Sequence, residues 1–358
     1  MEPTSAIPDL SVVIPAYNSG PWLETTLDAL RTALEATSWS AEVVVVDDGS
    51  TDGSPQLLRG LAPRYPYDLR VVEQANQGVF VAVWTGLEQA RSQHVLILNS
   101  RLLLDPTALR HLEEQDALAS GQAWNGHVVT DPATPLVGVF WDVPTHVFWG
   151  DYLGDPRPTE ITPENFDRVP KGTGCFLVPR DLMVEAYRAC WPDQGTRYTS
   201  DDTKLLRHIA SRRPIRLEPG FSATYRPRTT VRKFLAHAAG RGTMFVDSYA
   251  GTSHARNAAL VGLVLAPPVA AVGLAGAALS GRWGVVAALL GVGAAGLAAP
   301  AVLAARHRAS RRAIASYLTY VLPFGVVFWR GLLRGVVLHR TAFGRLRTAA
   351  DAAVGEVA

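Results

Sequence analysis

Glu42-Val43-Val44-Val45-Val46-Asp47-Asp48-Gly49-Ser50-Thr51-Asp52-Gly53-Ser54 joins four consecutive valines to an aspartate pair and a glycine-containing polar run. Four valines in a row suit a strand covered on both faces, as in a parallel sheet, and the polar run after them reads as a turn. Ligands of open α/β sheets bind at such turns. Upstream, Leu10-Ser11-Val12-Val13-Ile14-Pro15-Ala16-Tyr17-Asn18 reads as a second buried strand with a proline-stopped turn. The two strands are about thirty residues apart, the length of one βαβ unit. Between them, Trp22, Leu23, Leu27, Leu30 and Leu34 recur at helical spacing over Pro21 to Glu35.

Downstream the alternation continues. Ser54-Pro55 opens a helix with Leu57, Leu58 and Leu61 inward, and Asp68 to Val72 reads as a third strand. The turn Gln74-Ala75-Asn76-Gln77-Gly78 precedes a helix from Val79 to Ala90. Val95 to Leu98 is the next buried strand and delivers Asn99-Ser100-Arg101 at its carboxyl end. Asp105-Pro106 reads as an N-cap with proline at the first helical position, opening a helix from Thr107 to Leu118. From Ser120 to Pro170 the periodicity fades and Trp124, Phe140, Trp141, Phe148, Trp149 and Tyr152 gather, with His127 and His146 among them. A glycine turn, Lys171-Gly172-Thr173-Gly174, then leads into the strand Cys175 to Pro179, and Ser200-Asp201-Asp202-Thr203 opens a further helix.

Charge divides the chain. Residues 1–225 carry 18 Lys and Arg against 29 Asp and Glu, whereas residues 226–358 carry 16 against 3, within an overall charge of +2. The basic part is also apolar, and charges flanking long apolar runs suit an anionic membrane surface rather than nucleic acid. Two cysteines, Cys175 and Cys190, give no disulfide framework and imply a reducing compartment for the soluble part. The first ten residues lack a signal-peptide pattern, so the N-terminal part is expected on the cytoplasmic side. Ala258 to Leu279 and Trp283 to Ala305 are uncharged runs long enough to span a bilayer. Arg306, Arg308, Arg311 and Arg312 follow the second run, which puts them and the N-terminal domain on the cytoplasmic face. Ile314 to Phe328 is a shorter apolar segment before Arg330 and Arg334; an in-plane or re-entrant helix fits the charge rule, with a third span as the alternative.

The paired turns after the first two strands resemble those of the family 2 glycosyltransferases, which have the GT-A fold, and the likeness covers roughly the first 240 residues. It implies an α/β fold: a GT-A, Rossmann-like, mostly parallel sheet domain at 1–225, followed by C-terminal transmembrane helices. The remaining divisions are basic interfacial helices at 226–256, two transmembrane helices at 257–305, and a basic loop, in-plane or third membrane helix and tail at 306–358. The resemblance implies a nucleotide-diphosphate sugar donor held by Pro15, Ala16, Tyr17, Asn18, Asp47 and Asp48, with Asn76 and Gly78 near the nucleotide. Asn99, Ser100 and Arg101 would face the diphosphate. Gly172, Thr173 and Gly174 would lie beneath the donor sugar and acceptor, and Trp149 belongs to the aromatic region that shapes the acceptor site in this fold. That region also reads as a satellite hydrophobic cluster under a long loop. In register with the family's Glu-Asp motif, Asp202 is the base that takes a proton from an acceptor hydroxyl, and Asp201 fills the glutamate place. An acid pair at a helix start also reads as an N-cap.

Three departures stand out. Val83 and Trp84 replace an arginine and asparagine often found in the helix after Gly78. Asn99-Ser100-Arg101 replaces the Asp-x-Asp motif that normally holds a divalent ion, Mg or Mn. Arg101 cannot be a ligand, so either fewer protein groups hold the ion, or the guanidinium itself neutralises the diphosphate, or it points into solvent. The metal ligands therefore stay unassigned. A Gln-x-x-Arg-Trp motif of processive synthases is absent near His237, so polymer synthesis is not expected. The expected activity is inverting transfer of a sugar to a hydroxyl of a lipid-linked or cell-envelope glycan acceptor at the cytoplasmic membrane face. Two other readings remain: a polyprenyl-phosphate acceptor, as in enzymes resembling dolichyl-phosphate mannose synthase, and an inactive membrane scaffold that keeps the fold.

Overall fold

The computed structural model describes residues 6–192 and 195–344, which form two compact units. The first comprises the described residues up to Pro132 together with Asp155–Pro227. Its first half alternates strand and helix: β1 (Leu10–Ala16), α1 (Gly20–Glu35), β2 (Ala41–Asp48), α2 (Ser54–Leu61), β3 (Asp68–Gln74), α3 (Val79–Gln89) and β4 (His94–Leu98). These four strands pair in parallel in the order β3-β2-β1-β4. The chain thus leaves β1 in one direction and returns on its other side, which makes the carboxyl ends of β1 and β4 a topological switch point.

The valine run shows why both faces must be apolar. Val43 and Val45 pack with Leu10, Val12 and Ile14 against Leu23, Leu27, Leu30 and Leu34 of α1. Val44 and Val46 face the other way, onto Ala82 of α3. Each buried valine or leucine contributes about 1.5–3 kcal/mol by removal from water. At the amino end of β2, Glu42 is fully buried yet paired: it accepts from Ser11 Oγ (2.5 Å), Arg91 N and Nε (2.6 Å each) and Arg70 Nη2 (2.8 Å). Burial pushes its pKa up, but the Ser11 and Arg91 hydrogen bonds and the Arg70 charge outweigh it, and the net shift is downward.

The second half of this unit adds β5 (Leu102–Leu104), α4 (Ala108–Glu114), α5 (Ala117–Ser120) and β6 (Ala123–Thr130). The helix expected over Thr107 to Leu118 is broken, because Asp116 adopts a left-handed conformation (φ 50°) between α4 and α5. Thr107 rather than Asp105 is the N-cap of α4; Asp105 shapes the turn before it, its Oδ1 accepting from Thr107 N (2.9 Å) and Thr107 Oγ1 (2.6 Å).

Residues 133–154 leave this unit. They include α6 (Asp142–Gly154) and belong to the second unit, so the expected continuous domain at 1–225 is interrupted. The physical reason is packing: Val137, Phe140 and Val143 share a core with Phe234, Tyr317 and Phe324. Phe140 and Trp141, grouped in the sequence with an acceptor site, are core residues there.

The first unit then resumes with β7 (Thr159–Ile161), β8 (Cys175–Pro179), α7 (Arg180–Cys190), α8 (Thr203–Arg212) and β9 (Ile215–Tyr225). β8 runs antiparallel between β4 and β6, and β9 pairs with β6 in parallel and with β5 and β7 antiparallel, completing a nine-stranded mixed sheet.

The second unit holds α9 (Val231–Tyr249), α10 (His254–Leu279), α11 (Trp283–Arg306) and α12 (Arg311–Leu338). The last three are long and apolar enough to cross a membrane. The apolar segment expected to end at Phe328 continues as one helix to Leu338. It continues past Arg330 because its glycines pack on α9: a Cβ on Gly331 would strike Ala239 O, one on Gly335 would lie 2.7 Å from Val246, and Thr243 Oγ1 donates to Gly331 O (3.1 Å). Phe234 packs near Tyr320 and Phe324, Thr243 meets Gly331, and Asp247 meets His339 at 3.4 Å. Residue numbers rise together, so α9 and α12 run parallel. Pro268 lacks the N–H that would bond Val264 O in α10, and the Trp329 indole of α12 donates to that carbonyl instead (2.9 Å).

Candidate active site

At the switch point the expected residues form a closed circuit of contacts within the first unit. β1 ends in Pro15 and Ala16, with Ala16 buried, and Tyr17 is half exposed. Asn18 follows in a left-handed conformation (φ 48°), which asparagine tolerates better than most residues. Its Oδ1 accepts from Thr51 N (2.8 Å) and Asp52 N (3.2 Å), and its N donates to Ser50 Oγ (2.8 Å), so the first turn is fastened to the diacid turn.

The two aspartates of that turn are used differently. Asp48 Oδ1 accepts from Gln74 Nε2 and Gln77 N, both at 2.8 Å, and its Oδ2 accepts from Gly78 N at 2.9 Å. Asn76 Nδ2 donates to Asp48 O (2.8 Å). Asp48 therefore builds the β3–α3 turn. Asp47 is 2% exposed; its Oδ2 accepts from Ser50 N, while Oδ1 is buried without a hydrogen-bond partner among the described residues. A buried unsatisfied carboxylate oxygen is costly, and ligand donors are one way to satisfy it.

Gly78 (φ 93°) caps α3, and a Cβ there would lie 2.9 Å from Arg197 O. That close approach lays the short turn Thr196–Tyr198 against the start of α3, just before the acid pair. Asp202 is the N-cap of α8: its Oδ1 accepts from Ser200 Oγ (2.7 Å), Thr203 Oγ1 (2.9 Å) and Thr203 N. Asp201 Oδ2 accepts from Thr173 Oγ1 (3.3 Å), which joins the acid pair to the glycine turn. Gly172 N donates to the buried Asn125 Oδ1 (2.9 Å), and Asn99 N donates to Gly174 O (2.7 Å). Ser100 Oγ lies 2.9 Å from Ser19 Oγ, returning the circuit to β1.

Arg101 departs from both readings of its side chain. Its Nε donates to Arg226 O (2.8 Å), its Nη2 to Pro227 O (2.7 Å), and the guanidinium lies 4.4 Å over the Trp22 ring. It is a strut between the end of β4 and the residues after β9. Trp149 lies on α6 in the second unit, at a break in that helix (φ −126°, ψ 21°). Trp84 packs with Tyr187 and Trp191, ring centroids 5.6 and 5.4 Å away. The Tyr187 hydroxyl is buried without a partner among the described residues, and burial, helped by the Asp201 charge, pushes its pKa well up.

Lys171, Ser19, Asn125 and Arg197 were not assigned roles from sequence, though each adjoins or faces a motif that was. Lys171 Nζ donates to Phe166 O and to Val169 O (3.3 Å) and lies 4.3 Å over the Phe166 ring. Burial, with Arg207 adding, lowers its pKa to about 8 against the opposing pull of Asp167 and Asp202. The segment Asn99-Ser100-Arg101 after β4 offers no carboxylate, and no three His, Cys, Asp or Glu side chains converge among the described residues.

Residues 11–117 match the family model described as Glycosyl transferase family 2. An uncharacterized glycosyltransferase, YibD of Escherichia coli, is 36% identical over 99 residues, 27% of each chain. An undecaprenyl-phosphate 4-deoxy-4-formamido-L-arabinose transferase of Pseudomonas fluorescens is 34% identical over 110 residues, 30% of this chain and 32% of that one. The matched stretch thus spans a third or less of these relatives. A mannosyltransferase of Pyrobaculum calidifontis, solved with GDP-Man and Mn2+, shares the fold at TM-score 0.58 and 22% identity, over 92% of this chain and 87% of that one.

Proposed function

We propose that this chain, whose residues 11–117 match the Glycosyl transferase family 2 model and whose fold is shared with a mannosyltransferase, is an inverting glycosyltransferase that moves a sugar from a nucleoside-diphosphate donor to a lipid-linked or cell-envelope glycan acceptor at a membrane. The observation that carries this reading is the circuit itself. Six stretches, spread from Pro15 to Asp202 in sequence, meet at one sheet edge, and the unsatisfied Asp47 Oδ1 sits at the end of β2, in the diacid turn of that edge.

In this reading Asp47 Oδ1 accepts a hydrogen bond from the nucleoside, while Asn18, Asp48, Asn76 and Gly78 hold its turn in shape. The Gly172–Gly174 turn lets the donor sugar approach the backbone. Asp202 takes the proton of the acceptor hydroxyl as that oxygen attacks the anomeric carbon; the bond to the diphosphate breaks, and the anomeric configuration inverts. The three donors on Asp202 Oδ1 fix the orientation of the carboxylate for that transfer.

The second unit supports a membrane setting for the acceptor. α10 and α11 form a hairpin of 26 and 24 residues. Tyr317 and Ala313 in the first half of α12 share a core with Ala301 and Ala304 near the carboxyl end of α11. Leu332 and Phe328 in its second half pack on Leu260 and Val264 near the amino end of α10. Those two ends of a hairpin lie on one side of a bilayer, so α12, with α9 parallel to it, lies in the plane of the cytoplasmic face. That placement keeps Arg306–Arg312, Arg330, Arg334 and Arg340 together on the cytoplasmic side, as the charge rule requires.

A second reading, with a polyprenyl phosphate as acceptor, is favoured by the relative that acts on undecaprenyl phosphate. The test is transfer from radiolabelled UDP-, GDP- and TDP-sugars in membranes containing the chain. Label in the lipid or glycan fraction supports transfer, and survival of the linkage in mild acid separates a hydroxyl acceptor from a phosphate, whose glycosyl-phosphate bond is acid-labile. Donor-independent labelling, or none with any donor, would remove the proposal.

A further inference from the structure

A donor diphosphate brings negative charge to an edge already lined with carboxylates: Asp47, Asp48, Asp52, Asp201 and Asp202. Some cation must offset that repulsion. Arg101, the cation nearest in sequence to the motif, spends two donors on the carbonyls of Arg226 and Pro227 and stacks on Trp22. Arg226 is equally occupied, donating to Trp22 O and to the hydroxyls of Thr25 and Thr26. Lys171 is turned onto Phe166 and Val169, and Lys204, two residues past the acid pair, has a partner of its own.

Arg197 differs from all of these. It is exposed, and its side chain makes no hydrogen bond or ion pair among the described residues. Its backbone lies against Gly78, so that a Cβ on the glycine would sit 3.1 Å from Arg197 Cα. The start of α3 already holds the Asp48 carboxylate, on Gln77 N and Gly78 N, so Arg197 lies beside an occupied helix end and is itself the cation without a partner among the described residues. The neighbouring turn supplies an independent sign of a ligand: Asp47 is 2% exposed and its Oδ1 has no partner.

Resting on the nucleotide-sugar reading above, we infer that Arg197 binds the diphosphate of the donor and takes the place left by the Asp-x-Asp motif. Bidentate hydrogen bonds from a guanidinium suit two phosphate oxygens, and an exposed arginine beside a helix start is free to make them. The turn that carries Arg197 leads directly into Asp201 and Asp202, so the same short segment would meet the leaving diphosphate and the attacking acceptor.

The full chain in detergent, with Mg2+ present throughout, is titrated calorimetrically with UDP, GDP and TDP and with the matching monophosphates. For whichever nucleotide binds, Arg197→Ala should weaken the diphosphate about 10- to 100-fold and the monophosphate less than about threefold. Arg197→Lys should recover part of the loss, since it restores charge without the fork. An Arg197→Ala variant that binds the diphosphate as the unaltered chain does overturns the assignment, as does equal weakening of both nucleotides. Failure of the unaltered chain to bind any of the six overturns the nucleotide-sugar reading as well, which keeps the two failures apart.

Discussion

Asp202→Asn separates the two acceptor chemistries with little disturbance to the fold. Asp202 Oδ1 carries all three of the bonds named at the start of α8, from Ser200 Oγ, Thr203 N and Thr203 Oγ1. An asparagine keeps an Oδ1 able to accept all three, and asparagine caps helices about as well as aspartate, so the stability change should stay within about 0.5 kcal/mol. Alanine would be a poorer choice, because losing the cap costs about 1 kcal/mol and confuses the two roles. What asparagine cannot do is take a proton. Removing a general base lowers turnover by about 10²- to 10⁴-fold, or roughly 2.7–5.4 kcal/mol of barrier. The assay is initial-rate transfer of labelled sugar in membranes, paired with calorimetric nucleotide affinity and thermal unfolding of the purified chain. A variant that binds nucleotide normally, melts normally and has lost transfer supports base catalysis. Turnover within a few-fold of the unaltered chain would refute it, since a phosphate acceptor is already ionised and needs no base.

Arg101→Ala removes two charge-assisted bonds to carbonyls and a stack on Trp22, and should cost about 2–4 kcal/mol of stability while leaving nucleotide affinity within about threefold; an unchanged melting temperature with lost nucleotide binding would sink the strut assignment. Glu42 has a lowered folded-state pKa, so its ion pairs stabilise the fold above the unfolded carboxylate value and that contribution is lost as pH falls through the folded value. Glu42→Gln should therefore be destabilised by about 3–5 kcal/mol at pH 7 and show a flatter stability profile from pH 6 down to pH 3 than the unaltered chain; parallel profiles would contradict this. Thr341→Cys places a thiol on an exposed residue just past α12, with Cys175 and Cys190 both buried. An impermeant maleimide should label it from the cytoplasmic side of oriented vesicles, and labelling from the other side would make α12 a span.

What could be read from the sequence was what the chain writes locally. The strands β1, β2 and β4 are covered on both faces and so appear as unbroken apolar runs, and the turns after them carry the polar residues of the edge. The acid pair was visible because a helix start and a possible base demand the same residue type at the same place. The insertion at 133–154 was not visible, because Phe140 finds its core partners at Phe234, Tyr317 and Phe324. Nothing in residues 133–154 states that a segment within one domain will pack with helices from another part of the chain. The length of α12 was misjudged for a similar reason. Arg330 and Arg334 end the apolar run, but Gly331 and Gly335 continue the helix against α9, a contact set by spacing on two distant segments.

Arg101 shows the limit of reasoning from a motif position. A motif fixes where the backbone runs, and Asn99-Ser100-Arg101 does run through the switch point, with Asn99 N on Gly174 O and Ser100 against Ser19. The direction of a long side chain is set by what surrounds it. Here the carbonyls of Arg226 and Pro227, 125 and 126 residues away, and the face of Trp22 compete for the guanidinium and take it. Once that charge is committed, the electrostatic demand of a diphosphate at an acidic edge still has to be met. As proposed above, that cation comes from a different element, where Gly78 admits the backbone of Arg197. An acid replaced by an arginine in one motif is therefore no sign that the site has decayed, provided that a free cation has been brought to the same edge by another route.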